Sequence, residues 1–169
     1  MTDNIIKLNK SNTLKMDIYT DTGEKTGEYL EFDLEDTELP LIYQDLIEYD
    51  KKNKEHLKNQ LYIIDKREDV KGKKLLSKNQ EDKYKAINEF FNKEKEVYNM
   101  FLGERGVEKL LNGKKLGWTS LQEIDDIIEK QILPQLDINL NNIINNIKEK
   151  YSTIQKSDVL EWDAHNMQK

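Results

Sequence analysis

From Leu14 onward the chain alternates apolar and polar positions with a period of two. Leu14, Met16 and Ile18 are interleaved with Lys15, Asp17 and Tyr19, and Leu30, Phe32 and Leu34 with Glu31, Asp33 and Glu35. That period sends successive side chains to opposite faces of a strand. Between the two runs lies Asp21-Thr22-Gly23-Glu24-Lys25-Thr26-Gly27, whose glycines supply the positive φ that turns need. The pattern predicts a β-hairpin over about residues 13–35, with one apolar and one charged face. Two strands alone are marginal in water, so the hairpin requires a third strand, a helix beneath it or a partner. Ile5, Ile6 and Leu8 form the only further strand-like run, in an otherwise loosely ordered start.

Near residue 38 the period changes to that of a helix. Asp36 or Thr37 is placed to cap, and Pro40 suits a first turn. Leu39, Ile42, Leu46 and Tyr49 share a face, and Leu57, Leu61 and Ile64 resume it after the charged run 50–56. One unbroken helix would be about 45 Å long, against an expected radius of gyration of about 15 Å. The expectation is therefore a break near residues 50–56, or else a protruding helix.

Gly72 among lysines marks a loop, and Ser77-Lys78-Asn79-Gln80 has the form of a capping box. The helix that follows carries Tyr84, Ile87, Phe91, Tyr98, Phe101 and Leu102 on one face, widened by Phe90 and Val97, and Gly103 closes it. Val107, Leu110 and Leu111 predict a short helix stopped by Asn112-Gly113. Thr119 or Ser120 opens another, with Leu121, Ile124, Ile128 and Ile132 on its apolar face, which Pro134 should kink or end. Leu136, Leu140, Ile143 and Ile147 continue the spacing. Together these elements predict one α+β domain over residues 1–150, a hairpin followed by a helical bundle over about 38–150. Residues 151–169 read as a patternless, mobile tail whose largest apolar side chain is Trp162.

Composition narrows what such a domain does. A chain of 169 residues suits one domain and buries about 68–70% of its unfolded surface. Cys is absent, which excludes disulfides, thiolate metal sites and a Cys nucleophile. No apolar run reaches membrane-spanning length. The start Met1-Thr2-Asp3-Asn4 lacks the basic and apolar segments of a signal peptide, so the cytoplasm is the expected location. The net charge of −6, with Lys scattered among Asp and Glu and only Arg67 and Arg105 offering guanidinium groups, argues against nucleic-acid binding.

Catalytic constellations are weak. His56 and His165 are the only histidines, and neither has a partner at ligand spacing. Glu123, Asp125, Asp126 and Glu129 form the densest acidic cluster, able in principle to hold Mg²⁺ or Mn²⁺. They also occupy the polar face opposite Leu121, Ile124 and Ile128, near a helix start where acids complement the dipole. The glycines of Gly103-Glu104-Arg105-Gly106 and Gly113-Lys114-Lys115 lack the fixed Lys-Ser/Thr run of a phosphate loop and read as helix stops. Tyr98, Phe101 and Trp118 read as core rather than a ligand cage. Neither a cofactor nor a catalytic residue is expected, and a protein-binding role remains.

The stretch from Glu96 to Leu111 ends a helix in Phe101-Leu102-Gly103-Glu104, restarts after a brief turn and leads to an Ile-rich helix reaching Leu133-Pro134. Over roughly residues 85–135 this pattern resembles the tail assembly chaperones of long-tailed bacteriophages and prophages. The resemblance implies a non-enzymatic protein of the bacterial host cytoplasm that coats the helical, aggregation-prone tape-measure protein and recruits tail-tube subunits. It also implies displacement as the tube polymerises. Apolar positions that a core need not use, Val107, Ile127, Leu136, Leu140, Ile143 and Ile147, are the expected partner contacts, and self-association is compatible with the role. The alternatives are another phage structural or adaptor protein, such as a head–tail connector or tail-completion subunit, a metal-dependent enzyme built on Glu123–Glu129, and a regulatory or toxin-neutralising partner.

Overall fold

Strand β1 (Thr13–Tyr19) pairs antiparallel with β2 (Lys25–Asp33) in a two-stranded sheet. The computed structural model describes residues 12–136. Among the described residues four α-helices follow the sheet: α1 (Leu39–Lys66), α2 (Lys78–Leu102), α3 (Gly106–Leu111) and α4 (Trp118–Ile127). Helix α4 runs on through a π-helical turn, Ile128–Ile132, to the last described residue. The fold is α+β, a hairpin followed by helices.

The alternation read from the sequence sets the register. Leu14 faces Phe32 and Met16 faces Leu30. Beyond Asp17 the ladder is irregular, since Tyr19 pairs with Lys25. Gly27 lies in the extra length of β2 with φ +85°, and the Thr26 hydroxyl donates to the Ile18 carbonyl at 2.9 Å. Ile18, Leu30 and Phe32 are buried in the core. Phe32 meets Phe101 of α2 at 5.7 Å between ring centroids, and Tyr43 of α1 meets the same ring at 5.2 Å. The hairpin thus finds the helical support that two strands require.

Helix α1 is a single helix of 28 residues, about 42 Å long. Of the two expectations, a break near residues 50–56 or one long helix, the long helix is what forms. Asn53, within that charged run, turns inward to Glu94 of α2, and Leu57 is buried one turn later. The run thus carries one polar rung of a continuous seam. α1 and α2 form an antiparallel hairpin, as the pairs Tyr43–Phe101, Asn53–Glu94 and Arg67–Asp82 show along its length.

The far end of this hairpin is held by polar caps. Ser77 and Gln80 form the reciprocal capping box that opens α2. The Asn79 side chain donates to the Ile64 and Arg67 carbonyls at 3.1 and 3.0 Å, satisfying the end of α1. Asp69 accepts from the Asn79 backbone N–H at 3.0 Å. Tyr84, expected on the buried face of α2, is exposed, and that face centres on Phe90, Glu94 and Val97 instead.

The turn between α2 and α3 explains its glycines. Gly103 sits at φ 86°, ψ −179°, a region that side chains disfavour. A Cβ on Gly106 would lie 2.4 Å from the Leu102 Cβ, so α3 can start only on a glycine. Asn99 caps α3 from the preceding helix: its Oδ1 accepts from the Val107 N–H at 2.8 Å and its Nδ2 donates to Glu108 at 3.0 Å. α4 begins at Trp118, slightly before the expected Thr119 or Ser120 cap, and the Ser120 hydroxyl accepts from the Gly117 N–H at 2.8 Å.

Pro134 neither ends nor breaks the last helix. The helix widens first, the Leu133 N–H bonding to the Ile128 carbonyl five residues back. Four-residue steps on an ideal α-helix drift by about 40° each. One π turn absorbs most of that drift. Ile124, Ile128, Ile132 and Leu136 thereby all remain buried in the core.

Candidate partner-binding groove

Among the described residues β1 has no second strand beside it. Along the β1 side the hairpin, α3 and the α4–π helix enclose a groove of about 240 Å³. Its floor is Ile18, Leu30 and Ile132, all buried core residues. Met16, Leu110 and Ile127, each half-buried, form its apolar walls, and Asp17, Tyr19 and Gln131 its exposed polar rim. Lys25 bonds Asp17 at 2.8 Å and holds its carboxyl below the usual range, so this rim group stays ionised. An apolar trough with a polar rim beside β1 suits a segment that brings one or two apolar side chains, from a helix or a strand.

The expected partner contacts divide three ways. Ile127 lines the groove. Val107 is fully buried beneath the α2–α3 turn and Leu136 is buried below the π turn, so the folded chain presents neither side chain to a partner. Leu140, Ile143 and Ile147 lie outside the described residues.

The acidic cluster does not converge. Asp125 turns inward and accepts a hydrogen bond from the Tyr98 hydroxyl. Asp126 pairs with Lys130 at 2.9 Å, while Glu123 and Glu129 are exposed. Among the described residues no three Asp, Glu or His side chains come together as a metal would require. His56 lies exposed on α1 near Glu89 and Lys93. Burial, and then the Asp125 bond, push the Tyr98 hydroxyl far above its ordinary range, so it acts as a donor and does not ionise. Trp118 keeps 54% of its surface exposed yet stacks on Phe90 at 5.2 Å and edges Phe91 at 4.8 Å.

A buried acid escapes the sequence reading. Glu94 is completely enclosed, accepts from Asn53 Nδ2 at 2.9 Å and has its second carboxyl oxygen unpartnered. Burial pushes its carboxyl up to about 7, against the lowering effect of the Asn53 bond and with Asp50 of α1 adding repulsion. Its signal was its position, since it falls between Phe90, Phe91, Val97 and Tyr98 on the apolar face of α2. Asn53, Asp50 and Lys54 of α1 act on this acid, so it tunes the α1–α2 seam.

No helix among the described residues is long and apolar enough to cross a membrane. Comparisons with protein-family models, curated proteins and solved structures give no match to this chain.

Proposed function

We propose that this chain is a non-enzymatic tail assembly chaperone of a long-tailed phage or prophage, which coats the tape-measure protein in the bacterial cytoplasm and recruits tail-tube subunits. The observation that carries the reading is the groove between β1 and the α3–α4 arm, lined by Met16, Ile18, Leu110 and Ile127. A helical tape measure offers apolar side chains one or two turns apart, and a trough of this size takes one such cluster. Each contact is weak, and many copies along one long chain hold it by avidity. Weak individual contacts also let the coat leave when tube subunits arrive. The helix–Gly–short helix turn at residues 101–106 adds the family pattern of the resemblance.

Co-expression tests the proposal. With this chain present, the tape-measure protein encoded beside it is expected in the soluble fraction, co-purifying with several copies. The variant Ile127→Asp, which puts a charge in the groove wall, is expected to return it to the pellet while keeping its own circular dichroism spectrum. A tape measure that stays insoluble with the wild-type chain, or that Ile127→Asp holds equally well, contradicts the proposal.

A further inference from the structure

The two ends of the molecule are chemically opposite. Along the β-hairpin, from its turn to the loop before α1, residues 21–38 contain eight Asp and Glu against one Lys. Asp21, Glu24, Glu28, Asp33, Glu35 and Glu38 are all exposed there. At the other end, residues 66–78 contain five Lys and one Arg against one Glu and one Asp. Arg67 and Lys78 are tied to Asp82, and Lys74 leans on Glu81 at 3.5 Å. Lys71 and Lys73 are exposed and enter no ion pair among the described residues.

The basic end is also apolar. Val70 is 67% exposed and Leu75 93% exposed, with Tyr62 and Ile63 outward on the last turns of α1. Solvent-facing apolar side chains gathered at the tip of a projecting hairpin mark a contact surface. The acidic end offers apolar counterparts in Tyr19, Tyr29 and Leu41, all exposed. The 28 residues of α1 separate the tip from the acidic loop 33–38 by about 42 Å. A tip therefore cannot reach that loop of its own chain.

We infer that the occupant of the tip is a second copy of this chain: the Val70–Leu76 tip of one molecule docks against the acidic β-hairpin end of the next. The contact joins unlike surfaces, so it repeats head to tail and builds rings or open strings instead of closing at two. It lies beside the apolar groove and shares the Tyr19 rim with it. Opposite charge supplies steering and register, while Val70 and Leu75 supply the buried area. The inference stands independently of the tape-measure reading, since it concerns the purified chain alone.

Sedimentation of the wild-type chain and two charge-reversal variants tests it. The wild type is expected to gain mass with concentration, well beyond a dimer, and to lose that mass as NaCl rises from about 0.05 M to about 0.5 M, where exposed charges are screened. The tip variant Lys71→Glu/Lys73→Glu and the hairpin variant Glu24→Lys/Glu28→Lys are each expected to stay monomeric. Mixed, they are expected to assemble again, because the acidic tip of one meets the basic hairpin of the other. Variants that assemble alone like the wild type, or a mixture that stays monomeric, overturn the proposal. A wild type that stays monomeric at every salt concentration but binds anionic vesicles overturns it too, and assigns the tip to a lipid surface.

Discussion

Asn53 Nδ2 donates a 2.9 Å hydrogen bond to Glu94 Oε1 across the α1–α2 interface. This polar rung lies among the buried apolar side chains Leu46, Leu57, Phe90 and Val97, with the Asp50 carboxylate nearby. Shifting α2 along α1 by one turn would leave both groups buried without a partner, a loss of about 1–3 kcal/mol for each. The pair therefore fixes the register of the two long helices. The register in turn sets Phe101 under the β-hairpin and Tyr98 against Asp125.

Glu94 makes stability depend on pH in a defined direction. Its carboxyl is raised from 4.5 to about 7 in the folded chain. The folded state thus holds its proton more tightly than the unfolded state. Its contribution is fully present below pH about 4.5 and is lost as pH rises to about 7 and beyond. Glu94→Gln keeps the Asn53 bond and offers an N–H toward Asp50 without charge. The variant is expected to melt higher than wild type at pH 8, by up to about 3 kcal/mol, with the difference shrinking toward pH 5. Melting curves from pH 4 to 9 check this, and a difference that does not change with pH would contradict it.

Phe101 ties three elements together, touching Phe32 of β2 and Tyr43 of α1 from its place on α2. Phe101→Ala is expected to cost about 3–5 kcal/mol of unfolding free energy in a urea titration. An unchanged midpoint would mean that this ring is a binding surface and not core.

Gly106 has no room for a methyl group against Leu102. Gly106→Ala must push α3 away from α2, at a cost of about 1–3 kcal/mol. Gly72, where an added Cβ meets nothing within 4 Å, is the matched control, and Gly72→Ala is expected to be nearly neutral. Equal midpoints for the two variants would contradict the packing account of the Phe-x-Gly-Glu turn.

What the sequence reveals and what it hides follow from the same physics. The hairpin is legible because a two-residue period has one interpretation, and the starts and stops at Ser77, Gly103 and Asn112 because caps are local. The continuity of α1 is hidden, because Asn53 and Glu94 look like solvated residues until they are seen to face each other. The passage of the last helix through Pro134 is hidden as well, since it depends on a π turn that preserves the Ile124–Leu136 line. Spacing marks Val107, Ile127 and Leu136 alike as apolar helix positions. Only the meeting of β1, α3 and α4 separates the half-open Ile127 from the enclosed Val107 and Leu136, and the groove itself has no signature in any one segment.

A photo-crosslink tests whether the groove wall at Ile127 touches a partner. With a benzophenone side chain in place of Ile127, irradiation of cells that also express the tape-measure protein is expected to join the two chains covalently. The same group in place of Tyr49, exposed on α1, is the control and is expected to give little adduct. Abundant adduct from position 127 and little from 49 is the result the account requires. No tape-measure adduct at 127, or equal yields from both positions, would contradict it.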